Sequence, residues 1–150
     1  MRLGELKIES TKTKGLGVFA ERKFKTGELV VCGVPISKSN NRTNHSFQIG
    51  FNEHVELNEP ARLINHSCNP NLGIRNNKYG GYDFFAIKEI NLGDELGWDY
   101  CSTEYISIAV DGECLCNSKN CRTVISGFLT LPEEIKRNYG DFIADYLKVR

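Results

Sequence analysis

Residues 62–71 read Arg62-Leu63-Ile64-Asn65-His66-Ser67-Cys68-Asn69-Pro70-Asn71, and the interpretation of the whole chain turns on this stretch. It is dense in side chains that hydrogen-bond backbone groups, and Pro70 drives Asn69 away from helical geometry. Burying such a segment is costly unless its polar groups find partners. Read alone, Asn65 and His66 fit a self-satisfied turn, since a lone His is more often structural than catalytic. Its meaning depends on three other segments.

Downstream lies Gly93-Asp94-Glu95-Leu96-Gly97-Trp98-Asp99-Tyr100. Gly93 suggests a tight turn, after which Leu96, Trp98 and Tyr100 alternate onto one face, an arrangement common in cores. Next comes Cys114-Leu115-Cys116, followed by Cys121. Three thiolates this close reach one metal ion, and zinc prefers a tetrahedron of soft ligands. Closed structural sites take four ligands, which leaves Cys32, Cys68 and Cys101 as candidates for the fourth. Upstream, Lys14-Gly15-Leu16-Gly17 has two glycines one apart, which let the backbone approach a ligand closely. It lacks the third glycine of a dinucleotide fingerprint and any βαβ context.

The rest of the chain is ordinary by composition. Its 150 residues suit one domain, and 40% hydrophobic with 25% charged argues for a packed core. Lys+Arg and Asp+Glu are both 19, so the basic excess of a phosphate-backbone binder is missing and no direct nucleic-acid binding is expected. From Glu89 to Glu113 there are seven acids and no Lys or Arg, a run that suits either solvated turns or a face for a basic peptide. No apolar run approaches the roughly 20 residues of a membrane-spanning helix, and the charged N-terminus lacks a signal-peptide core. An intracellular protein, cytoplasmic or nuclear and not secreted, is expected, with its six cysteines kept as thiols. Nothing in the sequence speaks to oligomeric state.

Short strands are predicted at Leu6–Ser10, 15–20, Leu29–Cys32 and 82–87, with loose alternation over 47–57 and a Ser/Asn-rich surface loop over 37–44. Only the C-terminus reads as helix. Thr130-Leu131-Pro132-Glu133 has the makings of an N-cap and capping box, and Ile135, Tyr139, Phe142, Ile143, Tyr146 and Leu147 recur at helical spacing. Gly140 predicts a break into two shorter helices. The fold class is mainly β (α+β).

Taken together and in this order, the four segments resemble the SET-domain protein lysine methyltransferases. Gly15 and Gly17, Asn65 to Asn71, Glu95 to Tyr100 and Cys114 to Cys121 match Gly-x-Gly, Asn-His-Ser-Cys-x-Pro-Asn, Glu-Leu-x-x-Asp-Tyr and Cys-x-Cys-x4-Cys. The stretch from Phe85 to Leu96 is also similar to the family, and the likeness spans about Leu6 to Cys121. The resemblance implies small curved β-sheets with a knot-like threaded segment and a short helical C-terminus. It implies a SET domain over 1–108 and a zinc-binding post-SET segment over 109–127, and the helical spacing from Ile135 to Leu147 adds a C-terminal helical extension over 128–150 packed on the domain.

The resemblance also implies S-adenosylmethionine as cofactor, held by Lys14, Gly15, Leu16, Gly17, Asn65 and His66, with Tyr100 and Leu115 in contact. Trp98 and Tyr100 would line a lysine channel, with Tyr100 catalytic. Cys68 would join Cys114, Cys116 and Cys121 around a structural Zn2+, leaving Cys32 and Cys101 as free thiols. The expected partner is a protein with an accessible lysine, such as a histone tail. The other readings are a non-catalytic cofactor- and zinc-binding module, or methyl transfer to a different amine. No His, Asp or Glu in the motifs is an obvious general base, so proton loss to water is expected. Trp98 stands where relatives mostly carry Phe or Tyr; it lacks a phenol yet is larger, and these properties oppose each other in setting how many methyls are added.

Overall fold

The computed structural model describes residues 4–39, 41–43, 45–107 and 112–148. Alternation at the N-terminus becomes a hairpin of β1 (Leu6–Ser10) and β2 (Leu16–Ala20), with Ile8 opposite Val18. Next come β3 (Leu29–Cys32), β4 (Pro35–Ser39), β5 (Ser46–Gly50), β6 (Glu53–Leu57) and β7 (Asn65–His66), then β8 (Leu72–Asn76), β9 (Tyr82–Ala86) and β10 (Gly97–Trp98). They form small sheets ordered β1-β2, β3-β9-β8, β4-β6-β5 and β10-β7. The sheets share a core in which Val18, Phe24, Leu57, Ile64, Leu72, Ile74, Phe84, Ile90 and Leu96 are fully buried. Mainly β architecture with a short helical end is thus observed.

The two-residue pair positions the site. β7 and β10 run parallel, Asn65 beside Gly97 and His66 beside Trp98, which lays residues 62–71 against residues 93–100. Asn71 clamps the crossing: its Nδ2 donates to the Glu95 carbonyl at 3.0 Å and its Oδ1 accepts from the Gly97 N–H at 2.9 Å. The polar stretch is affordable inside the protein because the later segment supplies its partners.

Three local expectations needed correction. Residues 37–39 belong to strand β4, where Lys38 pairs with Val55; on an edge strand with exposed side chains, Ser and Lys lose no hydration. Strand β8 was not read from the sequence because Gly73 interrupts its apolar pattern; a Cβ there would sit 2.6 Å from the Phe142 ring. At the C-terminus, α1 (Glu133–Tyr139) has Pro132 at its N-cap with no side-chain cap bond. Thr130 instead closes a 3-10 turn, Phe128–Thr130, and its hydroxyl is taken by Ser126. The expected break is present: Gly140 caps α1 and α2 (Asp145–Lys148) follows, burying Leu147. The expected boundary between residues 1–108 and 109–127 falls at residues outside those described. Among the described residues no helix is long and apolar enough to cross a membrane.

Candidate active site and cysteine centre

Tyr100 opens a 3-10 turn, Tyr100–Ser102, fixed by the Asp99 side chain accepting from the Cys101 N–H. Its hydroxyl points to the Ile64 carbonyl at 3.4 Å, and Trp98 Nε1 donates to the same oxygen at 3.1 Å. The two rings lie 4.7 Å apart, and Phe47 stacks on Trp98 at 5.1 Å. Burial pushes the Tyr100 phenol above its ordinary pKa, so the hydroxyl is held protonated, as a donor. Behind it, His66 Nδ1 accepts from the Tyr100 backbone N–H at 3.1 Å. That places the proton of a neutral ring on Nε2, which faces Cys68 Sγ at 3.3 Å. Burial brings the His66 pKa down to about 4 despite Asp99 nearby, so the ring is neutral.

Two openings meet at Tyr100. One is a cleft of about 380 Å³ lined by Lys14, Gly15, Leu16, Leu63 and Asn65 as well as Tyr100. The other is a passage of about 10 Å³, room for roughly one water, walled by Phe47, Ile64, Trp98, Tyr100 and Glu104. His45 and Arg62 border both. Two of the lining side chains are anchored by Glu95, whose carboxylate pairs with Lys14 Nζ at 2.7 Å and accepts from Asn65 Nδ2 at 3.0 Å. Asn65 also donates to the Leu16 carbonyl at 2.9 Å. Gly17 lies beneath: a Cβ there would come within 2.8 Å of Glu95 Oε2 and 3.2 Å of Asn65 Nδ2. Lys14 extends this region into a wider cleft of about 930 Å³, whose far wall is Leu115 with its flanking cysteines. The ion pairs Lys14–Glu95 and Arg62–Glu59 beside apolar Leu16 and Leu63 suit a ligand with both polar groups and a flat or apolar body.

The ligand atoms of Cys68, Cys114, Cys116 and Cys121 all lie within 4.8 Å of one another. Four thiolates around one zinc at about 2.3 Å would be about 3.8 Å apart, so this set fits a tetrahedral metal site with little adjustment. Cys68 Sγ also accepts from the Arg122 N–H at 3.3 Å, and Cys121 Sγ from the Thr123 N–H at 3.4 Å. Burial drives the Cys68 thiol well up and Cys114 to about 11. At Cys116 burial acts the same way, but hydrogen bonds involving Ser118, Cys68 and Cys114 outweigh it and leave about 6. Four thiols held this close suit a cation that replaces their protons. Cys32 is exposed on β3 and Cys101 is buried beside Arg122, both outside the cluster.

The sequence of residues 15–101 matches the family profile of the SET domain. The chain belongs to the SET-domain family. This SET domain is 31% identical over 79% of its length to "Probable histone-lysine N-methyltransferase set-23" of Caenorhabditis briggsae, spanning 59% of that protein. It is 29% identical over 81% of its length to histone-lysine N-methyltransferase Set2 of Drosophila melanogaster, spanning 6% of it. The chain thus spans less than two thirds of the curated relatives it matches. Among solved structures it resembles KRYPTONITE in complex with mCHH DNA, an H3(1-15) peptide and SAH, with a TM-score of 0.63 at 24% identity, covering 79% of this chain and 29% of that one. It is also similar to Arabidopsis thaliana SUVH6 in complex with SAM, with a TM-score of 0.64 at 22% identity, covering 79% and 32%.

Within this SET domain the segments singled out in the sequence converge. Lys14, Gly15, Leu16, Asn65 and Tyr100 share one cleft, Leu115 faces it across Lys14, and Gly17 supports it from below. His66 does something different with its side chain, tying the Tyr100 backbone to Cys68. The acidic run does not act as one surface. Glu89 pairs with Lys23, Glu95 with Lys14, and Asp99 is buried against Arg122 and Tyr139. The sequence reading did not single out His45, Arg62 or Glu104 as lining residues. They are scattered singly, and only folding gathers them around Tyr100.

Proposed function

We propose that this protein transfers a methyl group from S-adenosylmethionine to the side-chain amine of a protein lysine. The observation that carries this reading is that a wide cleft and a slim aromatic passage are both lined by Tyr100. When bound, S-adenosylmethionine supplies an electrophilic methyl on a sulfonium. Lys14, Gly15, Leu16, Asn65 and the His66 backbone would hold it, with Gly17 beneath and Leu115 across the cleft. The clustered ion-paired and apolar side chains suit its polar groups and its adenine.

Trp98 and Tyr100 form the walls between which a lysine stem would pass, parting the rings and widening the small passage there. The Ile64 carbonyl, which accepts from both Trp98 and Tyr100, offers negative charge where a cationic centre would arrive. Tyr100 then acts by orientation: a protonated hydroxyl held by the Asp99 turn fixes the reacting groups in line. Cys68, Cys114, Cys116 and Cys121 would bind structural Zn2+ and hold residues 112–127 of the proposed post-SET unit (109–127) beside the cleft, with the proposed 128–150 extension packed on the domain. The names of the curated relatives support a histone tail as substrate and an intracellular, nuclear site of action.

The test is labelled S-adenosylmethionine incubated with the protein and a panel of histones and cell extract. Label on a protein lysine is the expected result. Tyr100→Phe should keep the fold and cofactor affinity while turnover drops about 10²-fold or more. Undiminished turnover in that variant removes Tyr100 from the mechanism, and cofactor binding with no transfer to any protein rejects the reading.

A further inference from the structure

Glu104 lies four residues beyond Tyr100, and only 5% of it is exposed. It walls the narrow passage with Phe47, Trp98 and Tyr100. Among the described residues, the hydrogen bonds to its carboxylate fall on Oε2, from the Gln48 backbone N–H at 2.9 Å and the Thr103 hydroxyl at 3.2 Å. Neither partner is a cation. Arg42 acts on it only through space, its guanidinium being bonded to the Ile106 carbonyl. The other groups around it are His45 and Arg62 at the passage wall and the phenols of Tyr82, Tyr100 and Tyr146. Burial holds those three phenols protonated.

A carboxylate buried in an aromatic passage without a cationic partner is an expensive arrangement for structure alone. Beside the aromatic passage that the methyltransferase reading assigns to the lysine stem, it has an evident use. Resting on the methyltransferase reading above, we propose that Glu104 is the base that takes the proton from the lysine ammonium before methyl transfer. The ammonium N–H bond breaks with its electron pair left on nitrogen, and the proton goes to a Glu104 carboxylate oxygen. That pair forms the new N–CH3 bond as the S–CH3 bond breaks with its pair to sulfur. Glu104 then returns its proton to solvent along the His45 side of the passage.

The electrostatics suit the task. Burial raises the Glu104 pKa from 4.5 to about 7, against the hydrogen bonds from Gln48 and Thr103 and the charge of Arg42. A base acts when ionised, so kcat/KM should rise with pH through about 7 and then level. Without such a base, the rate tracks free amine and keeps rising toward the ordinary lysine pKa of about 10.4.

The experiment compares pH profiles of wild type and Glu104→Gln, which keeps the volume and an acceptor for the Gln48 N–H. The variant should be about 10²-fold slower at pH 8 and should gain rate steadily with further pH. A peptide carrying S-aminoethylcysteine, whose amine is less basic than lysine, should recover part of the loss. Independently of turnover, 13C-carboxyl NMR should show one glutamate titrating near pH 7 in the wild type and missing from the variant. Cofactor affinity should be equal in both. A wild-type profile that climbs unbroken to pH 10, or a variant indistinguishable from wild type, overturns the role of Glu104 while leaving methyl transfer intact. Absence of transfer by the wild type at every pH sinks the parent reading and this role with it. Should E104Q lose its fold, the wild-type profile and NMR titration decide by themselves.

Discussion

Around Phe84 the small sheets interleave their apolar faces, so that Val18, Ile74, Phe84 and Ile90 are sealed from solvent. Residues 112–127 border the same cleft but contain no helix or strand, and of their apolar side chains only Ile125 is buried. Two of their non-glycine residues, Asn117 and Thr123, sit at φ of 59° and 68°, a left-handed conformation that persists only where surroundings dictate it. What dictates it is the convergence of four thiols and the Arg122–Asp99 ion pair. One region is held by area removed from water, the other by a few directional contacts. The first is self-sufficient; the second depends on what its ligands hold.

The sharpest way to break that contrast is to withhold the zinc proposed for the four cysteines. Structural zinc sites contribute apparent binding energies of about 10–16 kcal/mol in small peptides, so a chelator should unravel 112–127 and abolish methyl transfer. Amide exchange should accelerate in that segment while β8 and β9 stay protected. Uniform loss of protection would mean that the two regions are one cooperative unit. A change of the opposite kind is Phe84→Ala, which should cost about 3–5 kcal/mol in urea unfolding yet leave one metal equivalent bound to the folded protein. Smallest is the effect at the joint between the regions. Tyr139 of α1 donates to Asp99 Oδ2 at 2.5 Å, on the carboxylate that also holds Arg122 and the Tyr100 turn. Tyr139→Phe should lower stability by about 2 kcal/mol, the scale of a hydrogen bond to a charged group. A null effect would show that the C-terminal helices lean on the site without steadying it.

Much of this was legible in the sequence. The strands at Leu6–Ser10, 15–20 and Leu29–Cys32 and the helix break at Gly140 follow from apolar patterning and helical spacing, which act over a few residues. Three of the four cysteines stood out because thiols at such short spacing suit a shared metal, and Cys68 was supplied by family likeness. Strand β8 escaped because Gly73 is small for the sake of Phe142, far along the chain. The capping box at Thr130 failed because Ser126 claimed its hydroxyl first.

By itself, then, the sequence determined most of the element types, the thiol cluster and the identity of the motif residues, since each depends on side-chain type and near neighbours. Tertiary structure alone decided that Glu95 would anchor Lys14 and Asn65, that His66 would face Cys68, and that Glu104 would stand beside Tyr100. Those pairings come from the parallel contact of β7 with β10 and the packing around it. A buried polar group takes whichever partner the fold brings within about 3 Å, and spacing along a chain does not encode that distance.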